Sequence, residues 1–519
     1  MTTQQSAEGY CVPLSAAPGE RVALHAGATR WQRMGAVEPA SRELVFDVEV
    51  ARLGATREVV HRITGLVAAP HAVPADAFAR GAGYPAVAEI AVGSDWRSGF
   101  YEVRLRSRGD GDGGGTTTDR LAGFVLRPAP SAANPRPLLA LATNTWNAYN
   151  DWGGSNLYTG ATQVSFLRPF AHGLIERPEP LRYRNANRGR EPDLGMRGWT
   201  EYLRDHEVCV WSGSAGFASF EAPFVAWAER AGYQLDYATS ADLELHPELL
   251  DGRRLYLSIG HDEYWSSAMR DTVEAHVARG GNAVFLSGNT SFWQVRLEAA
   301  GATMVSYKGL ARRDDPVGDP RLLTSIWSDP RIGRPETQLT GLTFSRGGYH
   351  RIAGGVPRGA GGYTVWRPRH WLFDGTDLRY GDVLGGEHVV VGYECDGCAL
   401  GLVDGLPVPT GEDGCPDGFE VLATAPAHVW SVDEHGNDYP TALAAVRGRG
   451  ELQDLAMCLY GDDSPATCRK LAHGNAVLGT FTAGGTVVAC GSTDWVFGLA
   501  GGDPLVERIT RNALDRLSS

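Results

Sequence analysis

Short runs that alternate apolar and polar residues fill the first quarter of the chain. They are Glu43-Leu-Val-Phe-Asp-Val-Glu-Val50, Glu58-Val-Val-His-Arg-Ile63, Ala88-Glu-Ile-Ala-Val92, Tyr101-Glu-Val-Arg-Leu-Arg106 and Ala122-Gly-Phe-Val-Leu126. A two-residue period turns one face to a core and the other to water, so these runs predict an all-β sandwich over residues 1–126. Gly109-Asp-Gly-Asp-Gly-Gly-Gly-Thr116 reads as a flexible hairpin-type loop, and Trp96-Arg-Ser-Gly-Phe-Tyr101 as aromatics packed into the sandwich. The Pro-rich stretch 127–137 is a linker.

Beyond it, over 138–519, the pattern changes to alternating α and β. Continuous apolar runs at Pro137–Thr143, Tyr233–Ala238, Arg254–Gly260, Asn282–Ser287 and Gly485–Cys490 predict strands buried on both faces. Between them, helical stripes run over Glu221–Arg230, Ser267–Ala278 (closed by Gly280-Gly281) and Leu505–Leu517. The expected fold is multi-domain: an N-terminal all-β sandwich, then an α/β doubly wound domain. From about 300 to 450 the alternation lapses into a Gly- and Pro-dense stretch, read as a large loop-rich insertion over the sheet rim.

Three of the predicted strands end in polar, metal-capable clusters: Asn144-Thr-Trp-Asn-Ala-Tyr149-Asn150, His261-Asp262-Glu263-Tyr264-Trp265 and Gly288-Asn289-Thr290. Ligands of parallel sheets bind just beyond the carboxyl ends of the strands, so a Tyr, a His, a Glu and an Asn are expected to meet on one rim. His261 and Glu263, two apart on extended chain, share a side and offer metal ligands or an acid/base pair. Asp262 is read as a helix cap, as is Ser266. Glu394, after the apolar Val389-Val-Val-Gly-Tyr, is equally a general base or the partner of an arginine. Asn289 suits an oxyanion or a ligand. Tyr149 and Tyr183 are individually uninformative, and Lys308 beside Tyr307 reads as an electrostatic anchor or a solvated lysine.

Composition narrows the function. A net charge of −13 without clustered Lys and Arg argues against a nucleic-acid partner, and no apolar run approaches a membrane span. The opening Met-Thr-Thr-Gln-Gln-Ser-Ala-Glu lacks the regions of a secretory signal, so a cytoplasmic protein is expected. Of eight cysteines only Cys395 and Cys398 are close. With Cys415 and either Cys458 or Cys468 they fit no zinc motif, and read as free thiols or a local disulfide. A Gly-x-Ser-x-Gly elbow, a Walker loop, a Gly-x-Gly-x-x-Gly after a strand and a cysteine triad are all missing.

Taken together, Thr145-Trp-Asn-Ala-Tyr-Asn150, Gly153-Gly-Ser-Asn-Leu-Tyr158, Ser165-Phe-Leu-Arg-Pro-Phe170, Gly260-His-Asp-Glu-Tyr-Trp265, Gly288-Asn289, Tyr307-Lys308, Gly392-Tyr-Glu394 and Asp494-Trp495 resemble the large (beta) subunit family of N,N-dimethylformamidase. The resemblance runs from about 90 to 515. It implies a wound domain similar to class I glutamine amidotransferases without their triad. It also implies a mononuclear ferric iron, one per chain, held by two tyrosinates and a glutamate, and hydrolysis of an amide C–N bond. By motif, Glu263 and Tyr149 correspond to metal ligands, with Tyr183 as the second tyrosine. His261, Asn289 and Lys308 match pocket residues, and Glu394 the base. Relatives carry Tyr where this chain has Phe170. The expected partner is a small-molecule amide, in a homo-oligomer that includes or lacks a small companion subunit. Zinc or no metal, a lyase, isomerase or oxygen-using enzyme, and a non-catalytic scaffold stay open as alternatives.

Overall fold

The computed structural model describes residues 5–31, 35–107, 118–129, 135–177, 203, 205–351, 359–429 and 450–519. The fold is multi-domain, with several sheets of mixed type.

The N-terminal part is a two-sheet sandwich. One sheet joins Gln5–Val12, Arg21–Trp31, Val37–Pro39 and Ala86–Ala91. The other joins Ser15–Ala16, Thr118–Leu126, Gly99–Ser107, Leu44–Leu53 and Arg57–Ala68. Alternation does what the pattern requires: Phe46, Val48 and Val50 meet Leu24, Ala26 and Ala28 of the facing sheet in one core. Trp96 stacks on Tyr101, and Tyr101 on Phe124, at 5.2 and 5.3 Å between ring centres. The loop Gly109–Thr116 lies outside the described residues.

A nine-stranded sheet forms the second core. Asp236–Thr239, Leu138–Leu141, Leu255–His261, Asn282–Gly288 and Gly485–Ala489 lie side by side and parallel. Gly474–Ala483, Glu420–Ala427, Tyr363–Val365 and Val383–Leu384 continue it antiparallel. The Gly- and Pro-dense stretch thus supplies strands to this sheet. Leu139, Leu141, Leu257 and Ile259 face the helices Glu221–Arg230, Val496–Gly501 and Pro504–Leu517. Leu138, Ala140, Tyr256 and Phe285 face Met269, Val273 and Val277 of the Ser267–Ala278 helix. Helices on both faces explain why these strands are apolar without alternation.

Two expectations change. The strand expected from Tyr233 begins at Asp236. Asp262 caps nothing: Ser266 accepts the Met269 N–H and caps the helix, whereas Asp262 accepts the Ser258 hydroxyl at 2.7 Å. Of the two readings open for Cys395 and Cys398, free thiols hold: all eight thiols are free and buried, and the thiol of Cys398 meets that of Cys415. No described helix is long and apolar enough to cross a membrane.

One buried carboxyl ties the first strand to its neighbouring helix. Oε1 of Glu221 accepts the Ala142 N–H at 3.1 Å and the Trp146 Nε1–H at 2.9 Å, and Oε2 has no partner among the described residues. Burial raises this carboxyl from 4.5 to about 8. A folded-state value above the unfolded one gives stability that is complete below pH 4.5 and lost as pH rises towards 8. Glu221→Gln keeps both accepted hydrogen bonds and removes the ionisation. In urea titrations the variant should therefore gain on the parent by up to about 1.4 kcal/mol per pH unit across that window. A constant difference would refute the assignment.

Candidate active site

The site lies where the sequence pattern placed it, beyond the carboxyl ends of Leu255–His261 and Asn282–Gly288. Gly260 has φ +75°, and a Cβ there would overlap Phe220, so only glycine lets the strand turn His261 to the rim. Glu263 is held through its backbone: its N–H donates to Thr145 Oγ1, and its carbonyl accepts from Phe292 and Trp293. Tyr149 ends the short helix Thr143–Tyr149 that leaves the first strand.

The polar atoms converge. Tyr149 Oη donates to Glu263 Oε2 at 3.1 Å. Tyr158 Oη lies 2.6 Å from Tyr149 Oη, 2.8 Å from Tyr264 Oη, and 2.9 and 2.8 Å from Glu263 Oε1 and Oε2. His261 Nε2 is 2.7 Å from Glu394 Oε2 and 3.4 Å from Glu263 Oε2, and its Nδ1 meets the Ser214 carbonyl at 2.6 Å. Asn289 Nδ2 donates to Glu394 Oε2 at 3.0 Å. The ammonium of Lys308 sits 3.2 Å from the centre of the Tyr158 ring.

Tyr149, His261, Glu263, Asn289, Lys308 and Glu394 are thus brought together, all 4% exposed or less. Tyr183 lies outside the described residues. Phe170 packs against Trp146 at 6.1 Å. Sequence reasoning quoted the segments holding Tyr158 and Tyr264 without giving either residue a role. Tyr158 arrives through an irregular turn: Asn156 donates to the Tyr149 carbonyl and accepts the Tyr158 N–H, folding the chain back on itself. Stacking of Tyr158 on Tyr149, 4.3 Å between centres, completes the return.

Electrostatics follow from burial and neighbours. Burial alone would lower the His261 pKa, but the Glu394 carboxylate, its hydrogen bond and Glu263 outweigh it and raise it to about 9. His261 is therefore an imidazolium at neutral pH. Burial raises Glu263. Burial first, then the Glu263 carboxylate, hold the Tyr149 and Tyr158 phenols far above their ordinary value. Asn289 keeps φ +49° because both oxygens of Asp396 accept the N–H groups of Asn289 and Thr290 at 3.0 Å.

Among the described residues no trio of His, Cys, Asp and Glu is arranged to hold a metal ion. The rim offers a different donor set, phenols around one carboxylate. Five oxygen–oxygen contacts of 2.6–3.1 Å link three phenols and Glu263, and three phenolic hydrogens cannot fill them. Neighbouring oxygens on an octahedral ion with bonds of about 2.0–2.1 Å sit about 2.9 Å apart. Hard oxygen donors with that spacing, the phenols giving up their protons, fit a small, highly charged cation.

These features define the class: an α/β protein whose sheet rim carries a buried phenol–carboxylate cluster beside a charged His–Glu pair. Residues 47–510 match the family described as N,N-dimethylformamidase beta subunit-like, C-terminal, and the chain belongs to it. The N,N-dimethylformamidase beta subunit of Alcaligenes sp is 25% identical over 339 residues, 60% of this chain and 42% of that protein. That of Paracoccus aminophilus is 24% identical over 379 residues, 68% and 46% of the two chains. The chain therefore spans less than half the length of either relative.

The raised phenols predict a silent titration. Replacing Tyr149 and Tyr158 together by Phe should leave the near-ultraviolet phenolate absorbance of the metal-free chain unchanged up to about pH 11. Loss of a titrating phenol below that pH would refute the burial argument.

Proposed function

We propose that this chain is a metal-dependent hydrolase that cleaves an amide-type C–N bond in a small molecule. The observation that carries the reading is the contact of Tyr149, Tyr158 and Glu263 oxygens beside the His261–Glu394 pair. Family membership gives the bond type its support. The metal we infer is one ferric iron, with Tyr149, Glu263 and Tyr158 as the protein donors. Tyr158 takes the place in this reading that the sequence had given to Tyr183, because it touches both other donors. Bound there, the ion would supply Lewis acidity, polarising the amide carbonyl and acidifying a water.

The chain's own groups supply the rest. Glu394 is the base: His261 and Asn289 both meet Oε2, which leaves Oε1 to take the proton of the attacking water and later pass it to the leaving nitrogen. His261, 2.7 Å from Glu394, stands where its imidazole N–H can meet the developing oxyanion. Asn289 orients Glu394. Lys308 adds a second buried cation over the Tyr158 ring and offsets the charge of Glu263. The parallel strands with helices on both faces support a domain similar to class I glutamine amidotransferases. The relatives' designation as beta subunits supports a companion subunit, and we read the assembly as a cytoplasmic oligomer.

Iron-loaded protein should show a broad visible band with about one iron per chain. Tyr158→Phe should shift or abolish that band, and Tyr183→Phe should leave it in place; the reverse result would transfer the ligand role to Tyr183. Glu263→Ala should lose the iron. Glu394→Gln should keep it, and lose turnover of an amide found by screening by about a hundredfold or more. Full turnover in Glu394→Gln would sink the base assignment.

A further inference from the structure

Between the Leu53–Arg57 turn of the sandwich and the Glu221–Arg230 helix lies a cavity of ≈ 290 Å³, away from the residues of the rim. Five charged side chains line it: Arg57, Arg177, Arg230, Glu102 and Glu176. The carboxylates are already engaged. Glu102 accepts hydrogen bonds from Arg57 and Arg104 at 2.9–3.2 Å, and Glu176 accepts one from Arg104 at 2.7 Å. Arg57 is held further by Glu49.

Arg177 differs from all of these. It is 3% exposed, and among the described residues its Nε and Nη2 have no hydrogen-bond partner and no carboxylate pairs with it. Burial lowers its pKa only to about 10, so it stays charged. An uncompensated buried guanidinium is expensive, and proteins keep buried charges paired. Arg230, in the last turn of its helix, is exposed and has no ion pair among the described residues. Leu53, Phe217, Pro223 and Val225 supply apolar wall.

We propose that this cavity is a second ligand site, distinct from the rim, that binds a small organic monocarboxylate. Its carboxylate pairs with Arg177, with Arg230 at the opening, and its short apolar body lies along Leu53, Phe217, Pro223 and Val225. Three arginines against two glutamates leave one positive charge, which a single carboxylate cancels. The planar guanidinium fork matches a carboxylate. A phosphate dianion would overshoot that charge and seek donors where the wall is apolar. Phe217 belongs to the loop whose Ser214 carbonyl meets His261, so occupancy touches the segment that seats the imidazolium.

Calorimetric titration of the full chain with sodium hexanoate, hexanamide and inorganic phosphate tests this. One hexanoate should bind per chain, with the neutral amide and phosphate weaker by about tenfold or more. Arg177→Gln should weaken hexanoate by about tenfold or more without lowering Tm, because it removes an unpaired buried charge. Arg230→Gln, at an exposed position, should weaken it by a smaller factor and serves where Arg177→Gln fails to fold. No hexanoate binding up to about 10 mM, or hexanamide bound as tightly, would overturn the proposal. So would unchanged affinity in both arginine variants. Phosphate bound as tightly as hexanoate would overturn the monocarboxylate assignment.

Discussion

The carboxylate of Glu263, buried at the rim of a parallel sheet, sets the terms for everything around it. A carboxylate withdrawn from water is strongly destabilising unless neighbouring groups replace the solvent. Here the replacements come from distant parts of the chain: Tyr149 and Tyr158 donate or lie against it, His261 stands 3.4 Å away, and Lys308 approaches over the Tyr158 ring. Two carboxylates, Glu263 and Glu394, are thereby matched by an imidazolium and an ammonium. The phenols stay protonated because burial, and then the Glu263 carboxylate beside them, disfavour the phenolate. A cation would have to displace those protons to bind, which makes metal affinity at such a site dependent on pH.

The second constraint is how close two backbones must come for Glu394 to reach His261. A Cβ on Gly288 would stand 2.5 Å from the Glu394 carbonyl and from the Thr493 N–H, and one on Gly392 would overlap the Asp494 carboxylate. The same crossing is hydrogen-bonded, Thr493 N–H to the Glu394 carbonyl at 3.1 Å and Glu394 N–H to Thr493 Oγ1 at 3.3 Å. Glycine at both positions therefore sets the His261–Glu394 distance of 2.7 Å, although neither residue carries a reacting group.

What was legible in the sequence divides along the same lines. Strands buried on both faces announce themselves as apolar runs, and their carboxyl ends locate the rim without further knowledge. His261, Glu263 and Asn289 follow from that reading because each sits within two or three residues of a strand end. Glu394 was legible only as one of two equal possibilities, since nothing local to Val389–Glu394 states what it faces. Tyr158 was not legible in its role. It depends on the side chain of Asn156 pinning an aperiodic turn, and no hydrophobic period encodes such a turn. Asp262 misled because an acidic residue before a helix is usually a cap. Here a separate short strand, Tyr264–Ser266, comes before the helix, so the cap falls four residues later.

The sandwich is also bound into this arrangement. Glu8, from its first strand, accepts the Nε1–H of Trp152 at 2.8 Å, and Arg120 pairs with both Glu8 and Glu207. Trp152 opens the turn that carries Tyr158. Its carbonyl accepts from Arg168 at 2.5 Å, and Arg168 also donates to the Asn147 carbonyl and side chain within the helix that ends in Tyr149. Arg168 is 1% exposed and burial lowers its pKa to about 9, so its hydrogen bonds to carbonyls are what hold a guanidinium there. A chain of buried polar contacts thus runs from the sandwich through Trp152 and Arg168 to both phenols. Tyr158 is thus held from two sides, by this chain of contacts through Trp152 and by its own contacts with Glu263 and Tyr264 at the sheet rim.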